Sequence, residues 1–403
     1  MSRPRARLLA VVLAVGAAAA SGLAVAQAVT FARRVLTPSA SPEAEVHVVR
    51  VTRTTGGRPV TVTLQGPDTD LPGRYSLLFD GGEGHARLGP LVDRARVSGS
   101  DRVVRTVDAV DRGELRDGAQ GRVTGWWYTS PYELRFPVEE VEIPLEDGPA
   151  RAWLVRPDGA DRGRWAIHVH GRGALPEETL RGVVPAARAG MTSLVLRYRN
   201  DPGAPPGLRG RYGLGLAERH DVDAAIAWAR RQGATQVTLF GWSMGGTAAL
   251  LSATRGPNRS LVNGLVLDSP ALDWRGILRS HARLARAPRA SAELGLWFLA
   301  RGVVRGAVPW QHGTELAALD AEAFAPLLRV PVLIHASPDD TFVPWDGSVR
   351  LAELRPDLVR LRETRGEHVK LWNIAPDAWE HDTEEFLRAL EPAAGSGRVT
   401  PTA

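Results

Sequence analysis

The sequence predicts an α/β protein: a mainly parallel sheet covered by helices, with a small β-rich unit ahead of it and an apolar helix at the N-terminus. Three observations predict it. From about residue 138 onward, apolar runs such as RWAIHVHG, MTSLVLRYRN, QVTLF, LVNGLVLDSP and PVLIHASPDD alternate with helical patterns, as parallel strands joined by crossover helices do. Residues 44–136 instead carry short alternating runs separated by turn residues. Between Gln236 and Arg255, an apolar strand passes through Gly241-Trp242-Ser243-Met244-Gly245 straight into the small-residue helix pattern TAALLSATR.

Composition bounds the possibilities. A chain of 403 residues is long for one domain, and 44% hydrophobic with 24% charged residues is enough to bury a full core. There is no cysteine, which excludes disulfides, thiolate metal sites and a cysteine nucleophile. The net charge of +5 is almost wholly arginine, Lys370 being the single lysine. The arginines are spread along the chain without interleaved aromatics, which reads as a solvated surface and not as a nucleic-acid face.

At the N-terminus, residues 8–32 carry no charge and lie between Arg3, Arg5, Arg7 and Arg33-Arg34. Such a run is long enough to cross a hydrocarbon core of about 30 Å. Two readings fit residues 1–36: a retained membrane anchor, with the arginines holding its start in the cytoplasm, or a signal segment cleaved near Ala26-Gln27-Ala28. The length of the run favours the anchor. Both place the rest of the chain outside the cytoplasm, membrane-anchored or secreted. Residues 37–43, TPSASPE, form a linker.

In the β-rich unit, the runs EVHVVRVT, PVTVTLQG, RYSLLFD, RVVRTVDAV and GRVTGWWYT are separated by Gly56-Gly57, Asp80-Gly81-Gly82 and Asp117-Gly118. Its Trp126, Trp127 and Tyr128 fit a hydrophobic plug against the next domain better than a ligand face. The body, 138–390, opens with a hairpin turning at Glu146-Asp147-Gly148. The segment 217–233 is an amphipathic helix, with Val222, Ala225, Ile226 and Ala229 at helical spacing. Residues 272–325, rich in tryptophan and arginine, break the alternation and are expected to form a helical cap. Residues 391–403 are expected to be a disordered tail. Gly213-Leu214-Gly215 does not closely follow an apolar strand, so no dinucleotide site is read there, and neither a cofactor nor a metal is expected.

The chemistry centres on Ser243. A strand, a tight turn and a helix lift the serine Oγ to the top of a sheet, with glycines where a Cβ would collide. The N–H of Met244, at a helix start, can hold a developing oxyanion. A serine nucleophile needs a base and an acid to orient that base, in the order serine, acid, histidine in such a fold. Downstream acids at strand ends are Asp268, Asp339 and Asp340; Asp268, beside Ser269-Pro270, reads as structural. Among the histidines, His335 lies inside a strand, His281 and His312 in the expected cap, and His381 on the last helix as a solvated residue. His368, in GEHVKLWN between a strand and that helix, is on a loop that can return over the sheet.

These pieces, HGRG at 170–173, GWSMGG at 241–246, DTFVP at 340–344 and EHVKLWN at 367–373, resemble the α/β-hydrolase family, its serine aminopeptidase-like and esterase-like members in particular. The resemblance covers about 138–390 and implies a triad of Ser243, Asp340 and His368. The aspartate that opens D-x-x-V-P would be the acid, a spacing Asp340 fits and Asp339 does not. Ala336 stands where the family usually has glycine, and the segment is one residue longer than the common pattern, which keeps Asp339 as the alternative. The resemblance also implies an oxyanion hole from the backbone N–H groups of Met244 and Arg172. The function so implied is hydrolysis of an ester, thioester or amide in a small-molecule or peptide acyl substrate. An aminopeptidase-type peptidase and a non-catalytic envelope protein on the same scaffold are the other readings.

Overall fold

The computed structural model describes residues 36–37, 44–97, 100–159, 162–207, 210–284 and 316–391, with the isolated residues 289, 293, 294 and 297. The apolar stretch 8–32, His312, most of the expected cap beyond Leu284 and the tail 392–403 lie outside the described residues. Among the described residues no helix is long and apolar enough to cross a membrane.

The alternating runs of the first part close on themselves. Strands β1 (Val46–Arg53), β2 (Pro59–Gln65), β3 (Tyr75–Phe79), β4 (Gly84–Val97), β5 (Ser100–Arg112) and β6 (Gln120–Thr124) form a barrel in the order β1-β2-β5-β4-β3-β6, sealed where His47 meets Gln120. Inward-facing Val46, Val48, Val62, Leu64, Leu77, Phe79 and Leu88 fill it. The longest strand, β4, gives no clean alternating signal, because Gly89-Pro90 interrupts it and its pairing to β5 slips register around Leu88 and Leu91. Those slips bend the strand enough to close the barrel.

The second part is an eight-stranded sheet. It holds β7 (Val138–Leu145), β8 (Gly148–Val155), β9 (Arg164–Val169), β10 (Thr192–Leu196), β11 (Gln236–Trp242), β12 (Val262–Asp268), β13 (Val332–Ala336) and β14 (Val359–Glu363), in the order β14-β13-β12-β11-β9-β10-β8-β7. The β7–β8 and β8–β10 pairs are antiparallel; all others are parallel. Buried on both faces, the inner strands β9 to β13 read as continuous apolar runs whose alternate residues serve different cores, while the edge strands β7 and β14 are partly exposed. In β11, Val237 and Leu239 face one core with α2 (Glu218–Arg231) and α3 (Met244–Arg255), while Phe240 and Trp242 face the other with α1 (Leu180–Arg188) and α6 (Pro376–Ala389). Trp127 packs into that second core, its ring 6.1 Å from Trp372 with Tyr128 beside it, whereas Trp126 stands outside that core under Arg122. Of the expected cap, α4 (Trp274–Leu284) and short turns at Leu316–Leu319 and Ala321–Phe324 are described. A further helix, α5 (Asp346–Leu354), links β13 to β14.

His168 sits at the centre of the sheet, fully buried, with Nε2 3.0 Å from Ser193 Oγ and its ring 4.6 Å from that of Phe240. Burial pulls its pKa down to about 3. In the unfolded chain it titrates near 6.5, so the unfolded state binds one more proton between those values, and the stability it supplies above pH 6.5 is lost as pH falls toward 3. A His168→Gln variant lacks that loss. Urea unfolding between pH 7 and 4 is therefore expected to show the stability gap between wild type and variant shrinking on acidification, by up to about 1.4 kcal/mol per pH unit. A gap that is constant with pH would refute the assignment.

Candidate active site

The elbow follows from local sterics. Ser243 has φ 51° and ψ −118° between the end of β11 and the start of α3, a conformation costing a non-glycine residue on the order of 1–3 kcal/mol. Tertiary hydrogen bonds hold it there: Ser243 N donates to Asp268 O at 3.0 Å, and Ala271 N donates to Ser243 O at 3.1 Å. A Cβ on Gly245 would strike the carbonyl oxygens of Val169 and His170, and one on Gly241 would come within 2.6 Å of Gly246 Cα. Only glycine lets α3 leave so close to β9.

The chain brings three distant side chains into line. His368 Nε2 is 2.9 Å from Ser243 Oγ, and His368 Nδ1 is 2.7 Å from Asp340 Oδ2. Asp340 is buried, and its Oδ1 accepts the N–H groups of Phe342 at 2.9 Å and Val343 at 2.7 Å. That turn is the physical content of D-x-x-V-P: the aspartate caps its own loop with one oxygen and keeps the other for the histidine. Asp339 is exposed, 3.4 Å from Arg365, and it is Asp340 that is bonded to His368 Nδ1. Asp268 is buried behind the elbow, accepting from Trp379 Nε1 and Ser269 Oγ, each at 3.0 Å. Burial raises its pKa to about 6, opposed by the charge of Arg181. His335 is buried against Trp379 and bonded to Thr383, His281 Nε2 lies 2.7 Å from Phe342 O, and His381 is exposed.

Two N–H groups beside the elbow lack protein acceptors among the described residues. Met244 opens α3, where a helix leaves its first N–H groups without helical acceptors. In the loop after β9, the N–H groups of Gly171, Gly173 and Ala174 are taken by Glu178, Tyr212 and Gly171 respectively, whereas that of Arg172 has no acceptor among the described residues. The Gly171 carbonyl accepts Tyr198 OH at 2.9 Å and lies 3.0 Å from His170 Nδ1. In a trans peptide the following N–H points the opposite way, so these bonds turn the Arg172 N–H away from Tyr198. His170 is itself held by Asp201, 2.8 Å from Nε2. Burial depresses the His170 pKa, but the Asp201 charge and the bonds to Asp201 and Gly171 outweigh it and leave the pKa raised.

The loop that carries His368 is clamped from the barrel side. Val369 adopts φ 50°, and its N–H donates to Ser269 Oγ at 3.2 Å. Buried Arg181 donates to Val369 O at 3.0 Å and to Asn373 Oδ1 at 2.9 Å. Asn373 Nδ2 then donates to Arg74 O and Gly125 O of the barrel end, at 2.8 and 3.0 Å. Lys370 reaches Asp68 of the β2–β3 loop at 2.6 Å. That loop is pinned in turn by Arg105, a buried cation donating to the carbonyls of Thr69, Leu71, Gly73 and Gly89. Ser243 and His368 open into a cleft of about 370 Å³ whose walls include Asp68, Arg172, Phe342 and Lys370. Sequence reasoning passed over Asp68, Glu178 and Phe342. Phe342 stood inside the DTFVP motif, but nothing local marks Asp68, which lies 302 residues from its partner.

The Gly213-Leu214-Gly215 loop holds a carboxylate of the protein itself, since Glu218 accepts from Gly213 N at 2.7 Å and from Gly215 N at 2.8 Å. No group of three or more metal-type ligands is assembled among the described residues.

A family model described as a domain of unknown function (DUF8805) matches residues 47–124, the span of the barrel. No curated protein matches the chain. Among solved structures the chain is similar to an esterase from Pyrococcus furiosus, at 19% identity over 64% of this chain and 95% of that one, with a TM-score of 0.50. It is also similar to Est1E from Butyrivibrio proteoclasticus, at 16% identity over 62% and 98% with a TM-score of 0.46. A hyperthermophilic esterase from Pyrobaculum calidifontis matches at 20% identity over 64% and 88% with a TM-score of 0.43.

Proposed function

We propose, on the premise that this chain has the α/β-hydrolase fold, that it is a serine hydrolase which cleaves an ester or thioester through an acyl-enzyme on Ser243. The observation that carries the reading is the continuous hydrogen-bonded line Ser243–His368–Asp340 on a strained elbow. As Ser243 Oγ attacks the acyl carbon, His368 Nε2 takes its proton, and Asp340 stabilises the imidazolium so formed. The carbonyl oxygen becomes an oxyanion facing the N–H groups of Met244 and Arg172. His368 then returns the proton to the leaving oxygen or sulfur, the C–O or C–S bond breaks, and the same steps with water release the acid. The test is labelling by a fluorophosphonate probe: one adduct on Ser243 is expected, absent from Ser243→Ala, and no adduct on the folded wild type defeats the reading.

We further propose that the catalytic part works outside the cytoplasm, tethered by residues 8–32. The uncharged run between arginine clusters supports this. So does Leu36, which is buried in the sheet's core and whose carbonyl accepts Tyr212 N at 2.7 Å, so the chain meets the enzyme body directly after the run. Full-length protein is expected to sediment with membranes and to resist carbonate extraction; intact chain in the cytosol would exclude the tether.

A further inference from the structure

We infer that the Arg172 guanidinium is a seat for a carboxylate on the substrate, so that the enzyme acts on esters or thioesters bearing a negative charge. The inference rests on the serine-hydrolase reading and adds a substrate class to it. Charged groups that line a cleft are normally ion-paired or hydrogen-bonded, and among the described residues those lining this one are, with a single exception. Asp68 pairs with Lys370 at 2.6 Å, Glu178 accepts Gly171 N at 2.9 Å, and Glu367 accepts Thr341 Oγ1 at 2.8 Å. His368 is bonded at both ring nitrogens. Arg172 alone has no carboxylate or hydrogen-bond acceptor for its side chain among the described residues. Its guanidinium lies over the Phe342 ring at 5.8 Å, and that ring is 5.1 Å from the ring of His368.

The surroundings make the unpaired charge costly. The side chain is half-buried. Beside it and Ser243, the wall toward α4 is mostly apolar, made by Trp274, Ile277 and Leu278 together with His281, whose Nε2 lies 2.7 Å from Phe342 O. Burial lowers the arginine pKa, and the only opposing influences are Tyr212 and Tyr198, neither an anion at neutral pH. Arginine stays charged regardless, so a partly desolvated fork of five donors faces the cleft with no protein acceptor among the described residues. A planar carboxylate matches that fork in two parallel hydrogen bonds, and the apolar wall accommodates the methylenes or ring joining it to the scissile carbonyl. Arg172 and Ser243 line the same cleft, and the Phe342 ring under the guanidinium neighbours that of His368, so the charge belongs to the space that holds the reacting centre.

The carboxylate could belong to the acyl part or to the alcohol part, and the experiment separates these. For the acyl side, kcat/KM is measured for mono-4-nitrophenyl adipate against 4-nitrophenyl hexanoate; for the alcohol side, 4-acetoxybenzoate against 4-acetoxybenzamide. Wild type is expected to prefer the anion in one pair by about 10- to 100-fold, the scale of a hydrogen bond to a charged group. Arg172→Gln is expected to bring that ratio to near one, and Arg172→Lys, which keeps charge without the fork, to an intermediate value. Hexanoate should also slow fluorophosphonate labelling of wild-type Ser243 more than hexanamide does, a readout that needs neither turnover nor a folded variant. A wild-type ratio near one in both pairs overturns the inference, as does a ratio unchanged in Arg172→Gln. Wild type that neither labels nor hydrolyses any of the four esters overturns the serine-hydrolase reading itself, a different result from hydrolysis without preference.

Discussion

Ser243→Ala is expected to lower the turnover of short p-nitrophenyl esters by on the order of 10⁶-fold, the loss seen when the serine of a well-studied triad is removed. Folding is expected to survive. The elbow is held by the backbone of residue 243, through its N–H to Asp268 and its carbonyl to Ala271 and Gly246, and none of these needs the hydroxyl. The Oγ atom bonds to His368 Nε2, and losing it leaves that nitrogen facing a cleft open to water. Thermal unfolding and hydrolysis measured on one preparation decide the matter: wild-type turnover in a folded Ser243→Ala protein would end the proposal.

Asp340→Asn is expected to lower kcat by about 10⁴-fold, and the geometry says why. Asp340 Oδ1 accepts two backbone N–H groups, from Phe342 and Val343. An asparagine must keep its oxygen toward those donors, so its NH2 group faces His368 Nδ1. That nitrogen then has to accept, which places the ring proton on Nε2, where the base must be free to take the proton of Ser243 Oγ. Asp339→Asn is expected to stay near wild type, since Asp339 is exposed and its ion pair with Arg365 spans 3.4 Å at the surface. Steady-state kinetics of the two variants provides the ranking, and the reverse order would mean that the wrong aspartate has been paired with His368.

The one-residue ambiguity between these two aspartates shows where sequence reasoning stops. Both end the same apolar run, and the longer segment after Ala336 leaves the register open. Only the folded turn tells them apart: Asp340 N–H bonds back to Ser337 O, Asp339 is exposed, and buried Asp340 lies 2.7 Å from His368 Nδ1. His368 was singled out by elimination, since each other histidine downstream of Ser243 had a reading inside a strand, helix or cap. The β-rich unit was legible as strands because period-two alternation is local. Its closure into a barrel was not, because closure depends on β4, whose register slips hide the alternation, and on β1 meeting β6.

The order of residues along the chain is sufficient for most of the elements and for the elbow, because both rest on interactions a few residues long: strand and helix periodicity, and glycines around a serine. The walls of the cleft are a different matter. Asp68 meets Lys370, Asn373 meets the carbonyls of Arg74 and Gly125, and Arg181 fixes the loop of His368, each across a separation of well over a hundred residues. Contacts at such distances leave no periodic trace, since a buried arginine or an unpaired one looks in sequence like any other of the many in this chain. Whether the Arg172 charge is paired is a property of the space around it, and that space exists only once β9, α4 and the Phe342 loop have packed together.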